Sequence, residues 1–147
     1  MGATALKAVI LAAGKGTRMG DLTKDTPKAL VPIAGKPVLE HIISRMIAGG
    51  VSEFVLVTKY LAEKIEDYFG DGSRLGVKIS YARQSEGYGT GAALLAAKES
   101  ASASPFMMTF ADVITSIQTY SHAVDLYMDL RGAGVMTLNW VEDPCTG

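Results

Sequence analysis

Residues 7–20 read KAVILAAGKGTRMG, and this stretch decides how the chain is put together. Lys7 to Leu11 is a short apolar run that stops at Ala12-Ala13-Gly14. A continuous apolar run of that length, closed by a turn, predicts a strand buried on both faces. The next segment, residues 14–36, is rich in Gly, Thr, Lys, Asp and Pro and keeps no period. A long irregular segment directly after a buried strand is the usual place for a binding loop.

The same alternation continues along the chain. Pro37 opens a predicted helix whose apolar pairs Val38/Leu39, Ile42/Ile43 and Met46/Ile47 recur at helical spacing, with Gly49-Gly50 as its left-handed stop. Phe54 to Thr58 predicts a second buried strand, and Leu61, Ile65 and Tyr68/Phe69 a second helix ending at Gly70. Gly76 to Tyr81 alternates as a third strand, and residues 84–91 form a second glycine-rich loop. Ala92 to Lys98 is a strong helix former. Pro105 to Phe110 predicts a fourth strand, Tyr120 to Leu130 a helix, and Gly134 to Trp140 a fifth strand. Strands alternating with helices imply an α/β fold: a Rossmann-like, doubly wound, mostly parallel sheet with helices on both faces. Ligands of such sheets bind at the carboxyl ends of the strands, so three segments become candidates: 12–20, 83–91 and 111–116. With no internal repeat or linker, residues 1–147 read as one domain, cut short on its C-terminal side at Cys145-Thr146-Gly147.

Bulk properties narrow the function classes. A net charge of −1 argues against a nucleic-acid or anionic-membrane partner, so any anion site must come from local geometry. No apolar run approaches the roughly 18 residues of a membrane span, and Met1 to Ala13 lacks the basic start of a signal peptide. A cytoplasmic location is the default expectation. Cys145 is the single cysteine and has no basic neighbour to activate it. His41 and His122 lack partners at metal-binding spacing and read as structural or surface residues.

Four constellations carry chemistry. In Leu11 to Met19, small residues let backbone N–H groups approach a polyphosphate while Lys15 and Arg18 add charge, or the glycines simply form an ordinary turn between strand and helix. It is not a Walker motif, because no Lys-Ser/Thr pair closes it, nor a dinucleotide fingerprint, because Met19 stands at the third glycine. Lys28, held between Pro27 and Pro32, is a pre-placed cation or an ordinary solvated lysine. Gln84, with Gly87, Gly89, Thr90 and Gly91, offers a donor and an acceptor to a base edge beside close backbone, or simply enters a helix. Asp112, just past the fourth strand, suits a Mg²⁺ ion bridging phosphates, or merely ends the strand as a turn residue.

Residues 8–41, AVILAAGKGTRMGDLTKDTPKALVPIAGKPVLEH, resemble the signature region of the sugar-1-phosphate nucleotidyltransferases, the NDP-sugar pyrophosphorylases. The likeness continues at Gln84…Gly89-Thr90-Gly91, at Asp112 and at Val141-x-Asp143-Pro144. The resemblance implies the nucleotide-diphospho-sugar transferase fold and a set of roles. The backbone of Leu11, Ala12, Ala13, Gly14 and Gly16, with Thr17, would hold the nucleotide. Arg18 would grip the β- and γ-phosphates, and Lys28 would neutralise the α-phosphate. Gln84, Gly89 and Thr90 would meet the base, Asp112 would hold Mg²⁺, and Gly147 would approach the sugar. The implied reaction joins an NTP, UTP or dTTP favoured, to a sugar 1-phosphate with release of pyrophosphate; a homo-oligomer is left open. A lysine for the sugar phosphate and a second metal-binding aspartate would come from beyond position 147, so this stretch implies a nucleotide half-site without full turnover of its own. Residue 111 is Ala where the family commonly has Gly. Three alternatives stand beside this: a CTP-dependent transferase acting on a phospho-alcohol such as phosphocholine, a non-catalytic nucleotide-sensing or subunit domain, and a dinucleotide-dependent oxidoreductase. The missing third glycine and the absence of an acidic residue at Val57-Thr58-Lys59 weigh against the last.

Overall fold

A computed structural model describes residues 6–101, 104–130 and 132–138, without the side chains of Thr17 and Arg18. Its centre is a four-stranded parallel sheet: β1 (Leu6–Ala12), β4 (Val51–Thr58), β5 (Lys78–Arg83) and β6 (Phe106–Phe110), in the order β5-β4-β1-β6. Two-residue strands β2 (Pro32–Ile33) and β3 (Lys36–Pro37) pair antiparallel as a small hairpin inside the long loop after β1. The helices are α1 (Val38–Ala48), α2 (Ala62–Phe69), α3 (Thr90–Ala96), α4 (Lys98–Ala101) and α5 (Ile117–Leu130).

The predicted α/β architecture is present, and the reason is visible in the pleat. In β1 and β4, Ala8, Ile10, Ala12, Phe54 and Leu56 point to one side, where they meet Leu39, Ile42, Ile43 and Met46 of α1, Ile65 and Phe69 of α2, and Tyr120 of α5. Val9, Leu11, Val55 and Val57 point to the other side, against Ala93, Ala97 and Ala101. Both faces are therefore dry, which is why these strands read as unbroken apolar runs rather than alternating ones. Small alanines on α3 and α4 let those helices lie close to the sheet, while the larger residues of α1 fill the thicker side.

Two local expectations change and one narrows. Residues 14–36 are less irregular than composition implies: besides the hairpin they contain 3₁₀ turns at Thr17–Thr23 and Lys28–Leu30. The Gly49-Gly50 pair does end α1 with a left-handed residue, and the structure narrows this to Gly50 at φ 97°, with Gly49 at φ −83°. The fifth strand does not form over 134–138, the described part of the expected segment. Met136 and Leu138 are each 80% exposed there, so the burial that would hold a strand against the sheet is missing.

One buried charge ties the first turn of α1 to the segment after α2. Glu40 is 4% exposed. Its carboxylate accepts hydrogen bonds from Arg74 at 2.9 Å and from the Tyr68 hydroxyl at 2.8 Å, with Lys36 at 3.7 Å. The Arg74 bond holds the carboxyl below its ordinary 4.5, outweighing burial, which pushes it up. A carboxyl lowered in the folded state adds stability above its unfolded value and loses it as the pH falls through the folded one. Glu40→Ala should cost about 1–3 kcal/mol in urea unfolding at neutral pH, the size of a broken buried charge-assisted bond. The difference from the parent should shrink as the pH is taken below 4.5.

Candidate active site

All four sheet strands run in one direction, so the segments after β1, β4, β5 and β6 emerge on the same edge. Going outward from β1, β4 and β5 lie on one side and β6 on the other, so strand order reverses between β1 and β6. That reversal opens a crevice at the carboxyl ends of the two strands. The register is tight there: Leu11 pairs with Phe110, and the Ala111 N–H donates to the Leu11 carbonyl at 3.1 Å. Ala111 is buried, its methyl within the α1-side core, which accounts for an alanine at this position.

Across this crevice Lys28 and Asp112 meet. The Lys28 ammonium donates to Asp112 Oδ2 at 2.5 Å, although 84 residues separate them. The two side chains are 39% and 43% exposed. An ion pair this open contributes at most about 1 kcal/mol, so an incoming ligand can separate it cheaply. Lys28 is aimed by its own turn: Pro27 is extended at φ −60°, ψ 142°, and the Leu30 N–H closes the turn onto the Pro27 carbonyl at 2.8 Å.

The first loop is shaped from inside. Leu11 and Ala12 end β1 buried, Ala13 is partly buried, and Gly14 is exposed. Gly16 takes φ 63°, and its carbonyl accepts from the Met19 N–H at 2.9 Å and from the buried Thr23 hydroxyl at 2.9 Å. A β-carbon on Gly16 would sit 3.0 Å from Lys28 Cβ and 3.2 Å from Thr23 Cγ2, so the glycine lets the loop turn directly beside Lys28. Thr17 and Arg18 lie in the 3₁₀ turn, their side chains outside the described structure, and Gly147 lies outside the described residues altogether.

The second loop leaves β5 at Gln84, which is 8% exposed. The Gln84 N–H donates to the Thr58 carbonyl at 2.9 Å, and its side-chain amide donates to the Gly87 carbonyl at 3.1 Å. Gly89 and Thr90 are exposed at the start of α3. Lys28 and Asp112 are thus brought into contact, while Gln84 sits at the end of β5, two strands from β1 on the same edge, and Gly89 and Thr90 open α3, which packs against β1 and β4. His41 plays a structural part, its Nε2 2.7 Å from the Ile33 carbonyl of the hairpin.

Sequence reasoning passed over the segment after β4. Lys59 donates to the Gly87 carbonyl at 3.2 Å, and the Tyr60 hydroxyl donates to the Lys24 carbonyl at 2.7 Å. A cation and an aromatic at a strand end were available as signals, but only strand order puts them between the two loops. Thr23 was passed over as well; a lone threonine in a polar loop carries no mark of its internal bond.

A family profile described as nucleotidyl transferase matches residues 7–145. The chain belongs to the nucleotidyl transferase family. It is 42% identical over 125 residues to the bifunctional protein GlmU of Methanococcus maripaludis, covering 82% of this chain and 29% of that protein. It is 40% identical over 113 residues to the N-acetylmuramate alpha-1-phosphate uridylyltransferase of Neisseria meningitidis, covering 76% of this chain and 49% of the relative. Relatives named for guanylyl and cytidylyl transfer also match. Among solved structures, a UDP-glucose pyrophosphorylase complexed with UDP-glucose superposes with a TM-score of 0.74 at 26% identity, over 87% of this chain and 55% of that one. The chain therefore spans about a third to a half of the length of these proteins.

Gly16→Ala should destabilise the fold by about 1–2 kcal/mol in urea, the cost of a left-handed alanine. Gly14→Ala, where an added β-carbon meets nothing within 4 Å, should stay within about 0.5 kcal/mol of the parent.

Proposed function

We propose that this chain forms the nucleotide-binding side of a sugar-1-phosphate nucleotidyltransferase, acting on UTP or dTTP in the cytoplasm as one nucleotide-binding domain. The observation that carries the reading is the meeting of Lys28 and Asp112 at the strand-order reversal, beside a glycine loop. Family membership supports the reaction class. The uridylyl-named relative and the UDP-glucose complex support the choice of base, as does the sequence pattern Gln84…Gly89-Thr90-Gly91.

In the proposed reaction a phosphate oxygen of the sugar 1-phosphate attacks the α-phosphorus of the NTP. A new P–O bond forms, the bond from the α-phosphorus to the bridging oxygen breaks, and that electron pair leaves with pyrophosphate. The nucleophile is already ionised at neutral pH, so no general base is required, and catalysis reduces to alignment and charge neutralisation. The backbone of Leu11, Ala12, Ala13, Gly14 and Gly16, with Thr17, receives the phosphates. Arg18 takes the β- and γ-phosphates and steadies the leaving group. Lys28 turns from Asp112 to the α-phosphate, an exchange made easy by the weakness of an exposed pair. Gln84, Gly89 and Thr90 receive the base, and Gly147 approaches the sugar.

Asp112 fits a Mg²⁺ site. It is an exposed carboxylate that already attracts a cation, and Mg²⁺ typically takes one or two protein carboxylates together with waters and substrate phosphates. Among the described residues no group of three His, Cys, Asp or Glu forms a closed cage, which suits an ion shared with the nucleotide rather than a structural metal. When bound, Mg²⁺ supplies positive charge to the phosphates. No described helix is long and apolar enough to cross a membrane.

In the complete protein, pyrophosphate release from a panel of NTPs with sugar 1-phosphates should be largest with UTP or dTTP. Lys28→Ala and Asp112→Asn should each lower kcat by about 100-fold or more, the scale of a lost charge-stabilising group, while unfolding shifts by no more than about 1 kcal/mol. Absence of pyrophosphate release with every NTP, together with no thermal stabilisation by any Mg-NTP, overturns the reading.

A further inference from the structure

Strand order puts the end of β4 between the ends of β1 and β5. The turn after β4 is therefore flanked by both glycine-rich loops, and it is bonded to the segments that carry them. Toward the second loop, the Lys59 ammonium donates to the Gly87 carbonyl at 3.2 Å, the same oxygen that accepts from the Gln84 amide at 3.1 Å. Toward the first, the Tyr60 hydroxyl donates to the Lys24 carbonyl at 2.7 Å, and the Lys15 ammonium lies 6.0 Å from the centre of the Tyr60 ring. At the start of α2, Lys64 donates to the Asp25 carbonyl. The next residue after Tyr60, Leu61, is left-handed at φ 49°. A leucine there costs about 1–2 kcal/mol and persists only where its surroundings hold the turn in one shape.

We propose that Lys59 and Tyr60 are positioning residues, setting the spacing between the phosphate loop and the base loop so that one nucleotide can engage both. The proposal rests on the nucleotidyl-transfer reading and deepens it. Two physical arguments support it. The Gly87 carbonyl has two lone pairs and two donors. When Gln84 turns its amide to a base, Lys59 keeps that carbonyl bonded, and the loop is spared an unsatisfied acceptor. On the other side, the Tyr60 ring gives Lys15 a resting place at the mouth of the phosphate loop, and the hydroxyl pins the loop's far end. A loop ordered before the ligand arrives spares the ordering cost on binding, so removing the brace weakens nucleotide binding while leaving the chemical step alone.

The test uses the complete protein and the variants Lys59→Met, Lys59→Arg, Tyr60→Phe and Tyr60→Leu. Lys78→Met, at the opposite end of the sheet, controls for loss of a positive charge. Amide hydrogen exchange of the free protein and steady-state kinetics with the preferred NTP are measured together. Lys59→Met should speed exchange over 85–89 and leave 15–25 unchanged. Tyr60→Phe should speed exchange over 23–26 only, and Tyr60→Leu should extend that to residue 15. Each of these three should raise KM for the NTP about fivefold, the worth of one hydrogen bond, with kcat unchanged. Lys59→Arg should restore both readouts, and Lys78→Met should move neither. Unchanged loop exchange and unchanged KM overturn the proposal. So does faster exchange spread evenly over the whole sheet, which assigns the turn to general stability, and so does a fall in kcat at constant KM, which assigns Lys59 to the chemistry. If the parent protein releases no pyrophosphate from any NTP and no Mg-NTP stabilises it, the nucleotidyl-transfer reading fails by itself; the exchange pattern of the free protein still decides whether the turn braces the two loops.

Discussion

A parallel sheet sends every strand's carboxyl end to the same edge, and the rest of this structure depends on that alignment. The loops after β1, β4, β5 and β6 are scattered over a hundred residues of chain, yet they share one rim because their strands share one direction. Their lateral order is then set by pairing: Ala12 beside Thr58, Thr58 beside Arg83, Leu11 beside Phe110. Slip β6 against β1 by one residue and each of its side chains passes to the other face. Asp112 would then no longer be delivered to Lys28. The buried faces hold the register, since a slip of β4 would drive Phe54, Leu56, Val55 and Val57 out of the cores they fill.

The molecule uses the same chemistry for opposite ends at two places. Glu40 is a buried carboxylate held by two hydrogen bonds, from Arg74 and Tyr68, and its worth is structural. Lys28 with Asp112 is an exposed pair with little net energy, and water already competes for both groups. What keeps Lys28 in place is covalent and steric: Pro27, a closed 3₁₀ turn and the bare side of Gly16. A site for charged ligands needs groups that are well placed and weakly satisfied, and exposure at the rim of a rigid sheet supplies both conditions.

The central strands were legible because both of their faces are covered. Lys7 to Leu11 and Phe54 to Thr58 stand out as apolar runs for that reason. Pro105 to Phe110 is apolar too, but there Phe106, Met108 and Phe110 leave one face of the edge strand partly exposed. Pro37 and Gly50 punctuate α1 as their backbone chemistry requires. The 134–138 segment failed the same test. It carries strand-forming residues, but Met136 and Leu138 are left in solvent, and propensity without burial does not make a strand. The hairpin at 32–37 was hidden because two-residue strands are too short to show a period.

By itself the sequence determined the alternation of strand and helix, the glycine loop after β1, and Lys28, Gln84 and Asp112 as groups worth attention. Each of these is announced locally, by an apolar run, a glycine spacing or a polar residue at a strand's end. Tertiary structure alone decided that Lys28 reaches Asp112, that Thr23 props the Gly16 carbonyl, and that Lys59 and Tyr60 stand between the two loops. Those contacts depend on the lateral order of strands. That order is chosen by long-range packing over both faces of the sheet and leaves no mark on any short stretch of chain.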